Sequence, residues 1–519
     1  MSVNVLHCSI PEVSAPDVTV VVAVYNTMPY LETCLTSLVE QSIGTDRLQV
    51  VAVDDGSTDG SAAVLDRFAA SYPSVFTVVH QPNSGGPAQP SNKALDLATG
   101  RYVYFLGADD HLGPEALERM VGFADEHGSD VVIGKMVGVN GRVVGQGLYG
   151  ADRVDLDPYG DELRWALANT KLFRRSLVEE LGLRYREDMA FGSDQPFTLA
   201  ACVHAKRISV LGSYTCYYAV KREDAGNLSY KTPYSQRVPC IGQMMDAVAD
   251  LVPAGPKRDT LLARHFAWEL PRLLRADLLE LPVEERRAVA AGIAGLADRH
   301  LTEAILEAIP VSARVRVSAA ARQDVDLLDA VIREDADPAL PVHLRDGQAF
   351  AGYTGFGTLP DALFRLAPAG VSARLASAAS TAAQWTDRAL ALVVRLPLEG
   401  DAALAATLVR DGRPADIPAT VSHGSEGWRV EVPKAALAAA GPGRWRVRLS
   451  GSLTSGEYGV RLPAPPGRVT SLVSRRRRLV VEGAPDGALV VAAEPVAGRE
   501  IVAAFARRIP RRGGDPEGS

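Results

Sequence analysis

Three polar clusters near the start of the chain each follow a β-branched run. Tyr25-Asn26 follows Val18–Val24, Asp54-Asp55-Gly56-Ser57-Thr58-Asp59 follows Leu48–Val53, and Gly107-Ala108-Asp109-Asp110 follows Tyr102–Leu106. In open α/β sheets ligands bind beyond the carboxyl ends of the strands, so chemistry is expected at these clusters. Asp, Ser and Thr also build turns and helix caps, and for Asp54 to Asp59 that plain use stays open. Asp109-Asp110 fits it less well, because adjacent carboxylates repel and need solvent or a cation. Mg²⁺ and Mn²⁺ take oxygen ligands and bridge carboxylates to a diphosphate. There is no GxxxxGK[ST] or GxGxxG run, so such phosphates would be held through the metal and not in a glycine cradle. The nine histidines are not clustered at metal spacing, and His111, beside Asp110, reads as structural. No HExxH or Ser-His-Asp signature supports a hydrolase.

The 519 residues leave room for several domains of the usual ~100–200 residues. Over 1–225, β-branched runs alternate with amphipathic stretches such as Leu31, Leu35, Leu38 and Val39 behind Pro29, and Val64, Leu65 and Phe68. That alternation predicts an α/β domain, a parallel sheet with helices on its faces, and the valine run of the first strand marks burial on both sides. Over 226–337 strand signals stop and leucines recur at helical spacing, as in LLARHFAWELPRLLRADLLEL, which predicts a helical linker. Over 338–519, Gly and Pro punctuate short alternating runs, including Ala391–Leu396, Trp428–Val432, Trp445–Leu449 and Tyr458–Leu462. This texture predicts an all-β immunoglobulin-like sandwich region, followed by a basic tail with Arg475–Arg478 and the pairs Arg507/Arg508 and Arg511/Arg512.

With 55 basic and 62 acidic residues the net charge is −7, so no global field favours nucleic acid as a partner. Cys8, Cys34, Cys202, Cys216 and Cys240 are scattered without CxxC spacing and read as reduced thiols. No leader or run of ~20 apolar residues stands out, so a cytoplasmic location is expected, with peripheral contact to the inner membrane face left open.

The runs VTVVVAVYN, VVAVDDGSTDGS and NSGGPAQPSNKALDLATGRYVYFLGADD, in that order and spacing, resemble the family 2 glycosyltransferases of the GT-A fold. The resemblance implies an inverting transfer in which Tyr25 and Asp55 flank the nucleotide base of a UDP-sugar or other NDP-sugar. It places Ala23, Asn83, Gly86 and Asn92 on the donor side too. Asp109 and Asp110 would hold the ribose and a divalent metal, Mn²⁺ or Mg²⁺. Inversion needs a general base opposite the leaving nucleotide, and the resemblance assigns it to Asp194 in FGSDQPF. On residue type alone Asp194 is a helix N-cap, with a lowered pKa that would make it a weak base.

A narrower likeness lies in DVVIGKMVGVNGRVV, ANTKLFRRSL, AKRISVLGSYTCYYAVKRE and NLSY, which are similar to the wall teichoic acid glycosyltransferases of Gram-positive bacteria. Those enzymes add N-acetylglucosamine to poly(ribitol phosphate), and their helical linker and C-terminal immunoglobulin-like domains build a trimer. The implied acceptor is an anionic polyol-phosphate, for which Lys135, Arg142, Lys171, Lys206, Arg207, Lys221, Arg222 and Asn227 are the expected contacts. Another envelope glycan, a lipid-linked saccharide, or a binding scaffold without turnover remain as alternatives. Three positions depart from the pattern: Gly107 stands where relatives carry the first Asp of DxDD, Ser91 where they carry Arg, and Asn227 where they carry His. Joint loss of that Asp and Arg would avoid stranding one buried charge.

Overall fold

The computed structural model describes residues 15–160, 162–223, 232–410, 413–415, 417–474 and 477–495. Cys8, Asn227, Arg475, Arg476 and the arginine pairs after position 500 lie outside the described residues.

The valine run forms β1 (Val18–Val24), between β2 (Leu48–Asp54) and β4 (Tyr102–Phe105), both parallel to it, with β3 (Phe76–His80) outside β2. The sheet continues through β7 (Leu172–Arg174), β6 (Val131–Val139), β8 (Ile208–Val220) and β5 (His111–Leu112), in the order β3-β2-β1-β4-β7-β6-β8-β5. It is mixed where a parallel sheet was expected, because β7 runs antiparallel to β4 and β6. The described chain between β6 and β7 makes only the short turns Gly147–Tyr149 and Leu163–Trp165. A parallel neighbour needs a long crossover, usually helical.

Side chains alternate across a strand, so β1 feeds two cores. Val18, Val20, Val22 and Val24 pack with α1 (Leu31–Val39), α2 (Ser61–Ser71) and α4 (Ala116–His127). Val21 joins Val51, Val53, Val103 and Phe105 against α3 (Ala88–Asp96), α5 (Arg175–Glu180) and α6 (Asp194–His204). Helices on both faces leave the strand ends as the open edge of this three-layer unit.

The same compact unit runs to Ile309 and takes in α7 (Tyr234–Leu251), α8 (Pro256–Arg264), the π-turn His265–Glu269, α9 (Leu270–Leu273), α10 (Val283–His300) and α11 (Glu303–Ala308). A second unit comprises Pro310–Ala319 and the chain from Asp324 onward. It is rich in β-sheet: two four-stranded sheets and one of seven strands. Trp445, Val447 and Leu449 are buried on the strand Gly443–Leu453, while the alternating Arg444, Arg446 and Arg448 are exposed. Arg478 is paired through Nε with Glu494, at 3.0 Å. Cys34, Cys202, Cys216 and Cys240 are buried free thiols. Among the described residues no helix is long and apolar enough to cross a membrane.

Candidate functional site

The polar clusters meet at the carboxyl ends of β1, β2 and β4. Tyr25 is 50% exposed just past β1. Asn26 takes φ +50°, a left-handed conformation that Asn tolerates, and its Oδ1 accepts from the Thr58 N–H at 2.8 Å. The loop after β2 therefore locks onto the end of β1. Asp54 accepts from the Ser57 N–H, and Asp59 accepts from the Met28 and Ser61 N–H groups, so these two carboxylates do serve as turn and cap residues.

Asp55 differs. It is 2% exposed, and its carboxylate accepts from Gln81 Nε2 at 2.7 Å and from the N–H and Oγ of Ser84. The segment after β3 is drawn against the end of β2, and Gly56 permits this: at φ +76° a Cβ there would stand 2.8 Å from the Asn83 nitrogen. Asn83 donates to the Asp55 carbonyl oxygen at 3.1 Å and lines, with Gly86, Lys93, Gln236 and Gln243, a groove of ≈ 1090 Å³. Ala23 is half-buried at the end of β1. Asn92 is placed away from this role, since its amide donates to the Tyr185 carbonyl and Glu187 and accepts from the Tyr185 N–H.

The two carboxylates after β4 separate in function. Asp110 is buried: Oδ2 accepts from the Tyr217 hydroxyl at 2.5 Å and Oδ1 from the Val220 N–H at 2.6 Å. Burial, then the neighbouring Asp109 charge, raise its pKa to about 6 against the pull of these bonds and of Arg142. Asp110, expected together with Asp109 as a metal ligand, thus clamps the end of β8 through both of its oxygens. Asp109 is half-buried. Mg²⁺ is commonly held by one or two carboxylates plus substrate phosphates, so Asp109 with a donor diphosphate would suffice. Among the described residues no three His, Cys, Asp or Glu groups converge on a common point. A side chain at Gly107 would be tight: a Cβ there would lie 3.0 Å from Asp110 Oδ2 and 3.1 Å from the Tyr217 hydroxyl, so these side chains would have to give by a few tenths of an ångström. Ser91 is 5% exposed on α3.

Asp194 opens α6, after the N-cap residue Ser193. Burial raises its pKa, more than its own N–H, Lys171, Arg264 and the Asn169 N–H lower it. The direction is opposite to that of a simple capping carboxylate, and it suits a base. With Gln195, Arg237, Arg264, Trp268 and Arg272 it lines a cleft of ≈ 320 Å³.

The expected acceptor cations scatter. Lys171 is 2% exposed, and its Nζ donates to the Ala168 carbonyl beneath Asp194. Burial brings its pKa down to about 8, against the pull of Cys202 and Asp194, so it is an internal group and not a groove cation. Arg207, with the exposed Lys206, precedes β8, at the opposite end of the sheet from the site, and its Nε is bound to Asp155 at 2.6 Å. Lys135 is half-buried within β6. Arg142, Lys221 and Arg222 stand at the site end of β6 and β8. Arg142 donates to the Val220 carbonyl, and Arg222 donates to the Asn26 carbonyl and lies 5.6 Å over the Tyr30 ring.

Sequence reading missed Arg237, Arg264, Trp268, Glu269 and Arg272. For Arg264, Glu269 and Arg272 the one signal was charge inside a leucine-rich helical run. Arg264 and Glu269 are five residues apart, about 140° around a regular α-helix, where they would not meet. The π-turn brings them together.

The family described as Glycosyl transferase family 2 matches residues 19–182, and the Glycosyl transferase TarS linker domain matches residues 238–332. A poly(ribitol-phosphate) beta-glucosyltransferase of Bacillus spizizenii is 36% identical over 40% of this chain and 32% of its own length. The poly(ribitol-phosphate) beta-N-acetylglucosaminyltransferase TarS of Staphylococcus aureus is 36% identical over 39% of this chain and 35% of its own. The chain thus spans about a third of the length of these curated relatives. Among solved structures, S. aureus TarS matches 93% of this chain and 86% of its own at TM-score 0.62 and 21% identity, a likeness of fold. Its 1–349 fragment in complex with UDP-GlcNAc matches 65% of this chain and 97% of its own at TM-score 0.57 and 26% identity.

Proposed function

We propose, on the premise that residues 19–182 are a family 2 glycosyl transferase domain followed by a TarS-type linker at 238–332, that this protein is an inverting glycosyltransferase. It moves a hexose, N-acetylglucosamine or a relative of it, from a UDP-sugar to a teichoic-acid-type alditol-phosphate polymer. The observation that carries this reading is the cleft that Asp194, a carboxylate with a raised pKa, lines together with Arg237 and Arg272. A base and a set of guanidinium forks in one cleft fit an acceptor with both hydroxyls and phosphodiesters. The names of the curated relatives and the UDP-GlcNAc complex of the TarS fragment support the same donor and acceptor.

In the proposed reaction Asp194 takes the proton of the acceptor hydroxyl as that oxygen attacks the anomeric carbon from the face opposite the nucleotide. Burial serves this, since a base works best with a pKa near the working pH. Tyr25 and Asp55 receive the nucleoside end, and Arg142, Lys221 and Arg222 neutralise charge near the diphosphate. Mn²⁺ or Mg²⁺ bound at Asp109 would supply charge neutralisation on the leaving diphosphate.

Around this core we also propose the division into residues 1–225, 226–337 and 338–519, an immunoglobulin-like C-terminal sandwich, a homotrimer, and work at the cytoplasmic membrane face. A second reading, a polymer- or nucleotide-binding scaffold, is favoured by one observation, the absence of a carboxylate at Gly107, beside Asp109 and Asp110. Asp194→Asn separates them. Turnover on purified poly(ribitol phosphate) should fall by about 10²-fold or more while donor-induced thermal stabilisation persists. An unchanged rate would remove Asp194 from the base role. Because the base must be deprotonated and its folded pKa is raised above 3.8, the wild-type rate should rise with pH above the ordinary carboxylate range.

A further inference from the structure

The linker holds a buried charged cluster that the reaction described above does not use. Arg264, His265 and Glu269 are 9%, 1% and 7% exposed. Arg264 Nη1 lies 2.5 Å from Glu269 Oε1, and His265 Nδ1 lies 3.5 Å from Glu269 Oε2. The same Arg264 nitrogen donates at 2.6 Å to Oε1 of Gln195, the residue that follows Asp194. Buried ion pairs are costly to desolvate and are seldom kept for stability alone, and π-turns recur at functional sites.

We infer that Arg264 is a positioning residue for the catalytic base: through Gln195 it fixes the first turn of α6, and Glu269 neutralises it so that Asp194 is not left beside an uncompensated cation. The inference rests on the reading of Asp194 as base. A regular helix would direct Glu269 away from Arg264, so the π-turn is what completes the device.

The charged and titratable groups around Asp194 are Lys171 before β7, Arg264 at the end of α8, and Tyr185, with Arg237 on α7 and Arg272 on α9 further round the cleft. Burial works against the charged form of Glu269, but His265 and Arg264 outweigh it and hold the carboxyl below its usual range. Glu269 therefore stays ionised opposite Arg264 at any pH at which the enzyme would work.

The test is the pH profile of kcat/KM for poly(ribitol phosphate) with the full chain and a UDP-sugar. Glu269→Gln leaves Arg264 uncompensated, which favours the Asp194 carboxylate, so the acidic limb should move down by about one pH unit. Arg264→Met removes the cation and should move the limb up by a similar amount. Arg264→Lys keeps the charge but loses the fork: the limb should stay in place while kcat falls roughly tenfold. Opposite shifts in the first two variants are what a merely structural pair would not produce.

Shifts of the same sign, no shift, or an unchanged kcat in Arg264→Lys would overturn the inference. If either neutral variant fails to fold by circular dichroism, Arg264→Lys and Gln195→Leu decide. Gln195→Leu leaves the ion pair intact and should also lower kcat without moving the limb; an unchanged kcat in both would likewise overturn the inference. Asp194→Asn in parallel tests the underlying reading, since it leaves Arg264, Glu269 and Gln195 in place.

Discussion

At the scale of the residue, carboxylates of similar sequence context end in different roles because their surroundings differ. Asp110, adjacent to Asp109, is held through both oxygens by Tyr217 and Val220, whereas Asp109 is half-buried. Tyr217→Phe removes a donor from a buried carboxylate and should cost about 1–3 kcal/mol of stability. The sign of its pH dependence follows from the Asp110 pKa of about 6, raised from 3.8. A group raised on folding contributes stability below its unfolded pKa and loses it as pH rises through the folded value. Removing a bond that favours the charged form raises that value further, so the loss in Tm should be larger at pH 8 than at pH 5. Equal losses at both would separate Tyr217 from the charge on Asp110.

At the scale of the element, the site depends on loops that approach each other more closely than side chains allow. The turn after β2 and the segment after β3 meet at Gly56 and Asn83, with the Asp55 carboxylate joining them. Gly56→Ala should push this segment off the end of β2, raising the donor KM roughly tenfold with a smaller effect on kcat. Donor titration of the variant checks this, and an unchanged KM would mean that the segment does not form the nucleoside pocket. The strands β1 to β4 and the helices α1 and α2 were legible in the sequence. The valines of β1 and the stripe of Leu31, Leu35 and Leu38 on α1 carry their own periodicity, and the buried pattern follows it. The direction of β7 was not legible, because strand direction depends on how the chain arrives, and a period of two is the same read either way.

At the scale of the whole molecule, the net charge of −7 argues against general attraction to a polyanion, so any affinity for an alditol-phosphate chain must come from local cations such as Arg237 and Arg272. Exposed charge pairs are screened over about 8 Å at physiological ionic strength. Raising salt from about 0.05 to 0.5 M, a range over which the screening length shortens severalfold, should therefore raise KM for the polymer several-fold and change the donor KM less. Equal sensitivity would point away from a phosphate-bearing acceptor. The sequence by itself determined what is periodic or contiguous: the α/β layers, the helical linker, the β-rich C-terminal part, and the clusters after β1, β2 and β4. These depend on neighbours in the chain, which a linear reading can see. Only the tertiary structure decided that Lys171 is internal, that Arg207 sits at the far end of the sheet, and that a π-turn sets Arg264 and Glu269 against the first turn of α6. Burial, strand direction and helical register are set by what packs against a residue from elsewhere in the chain, and a side chain's type and spacing do not carry that information.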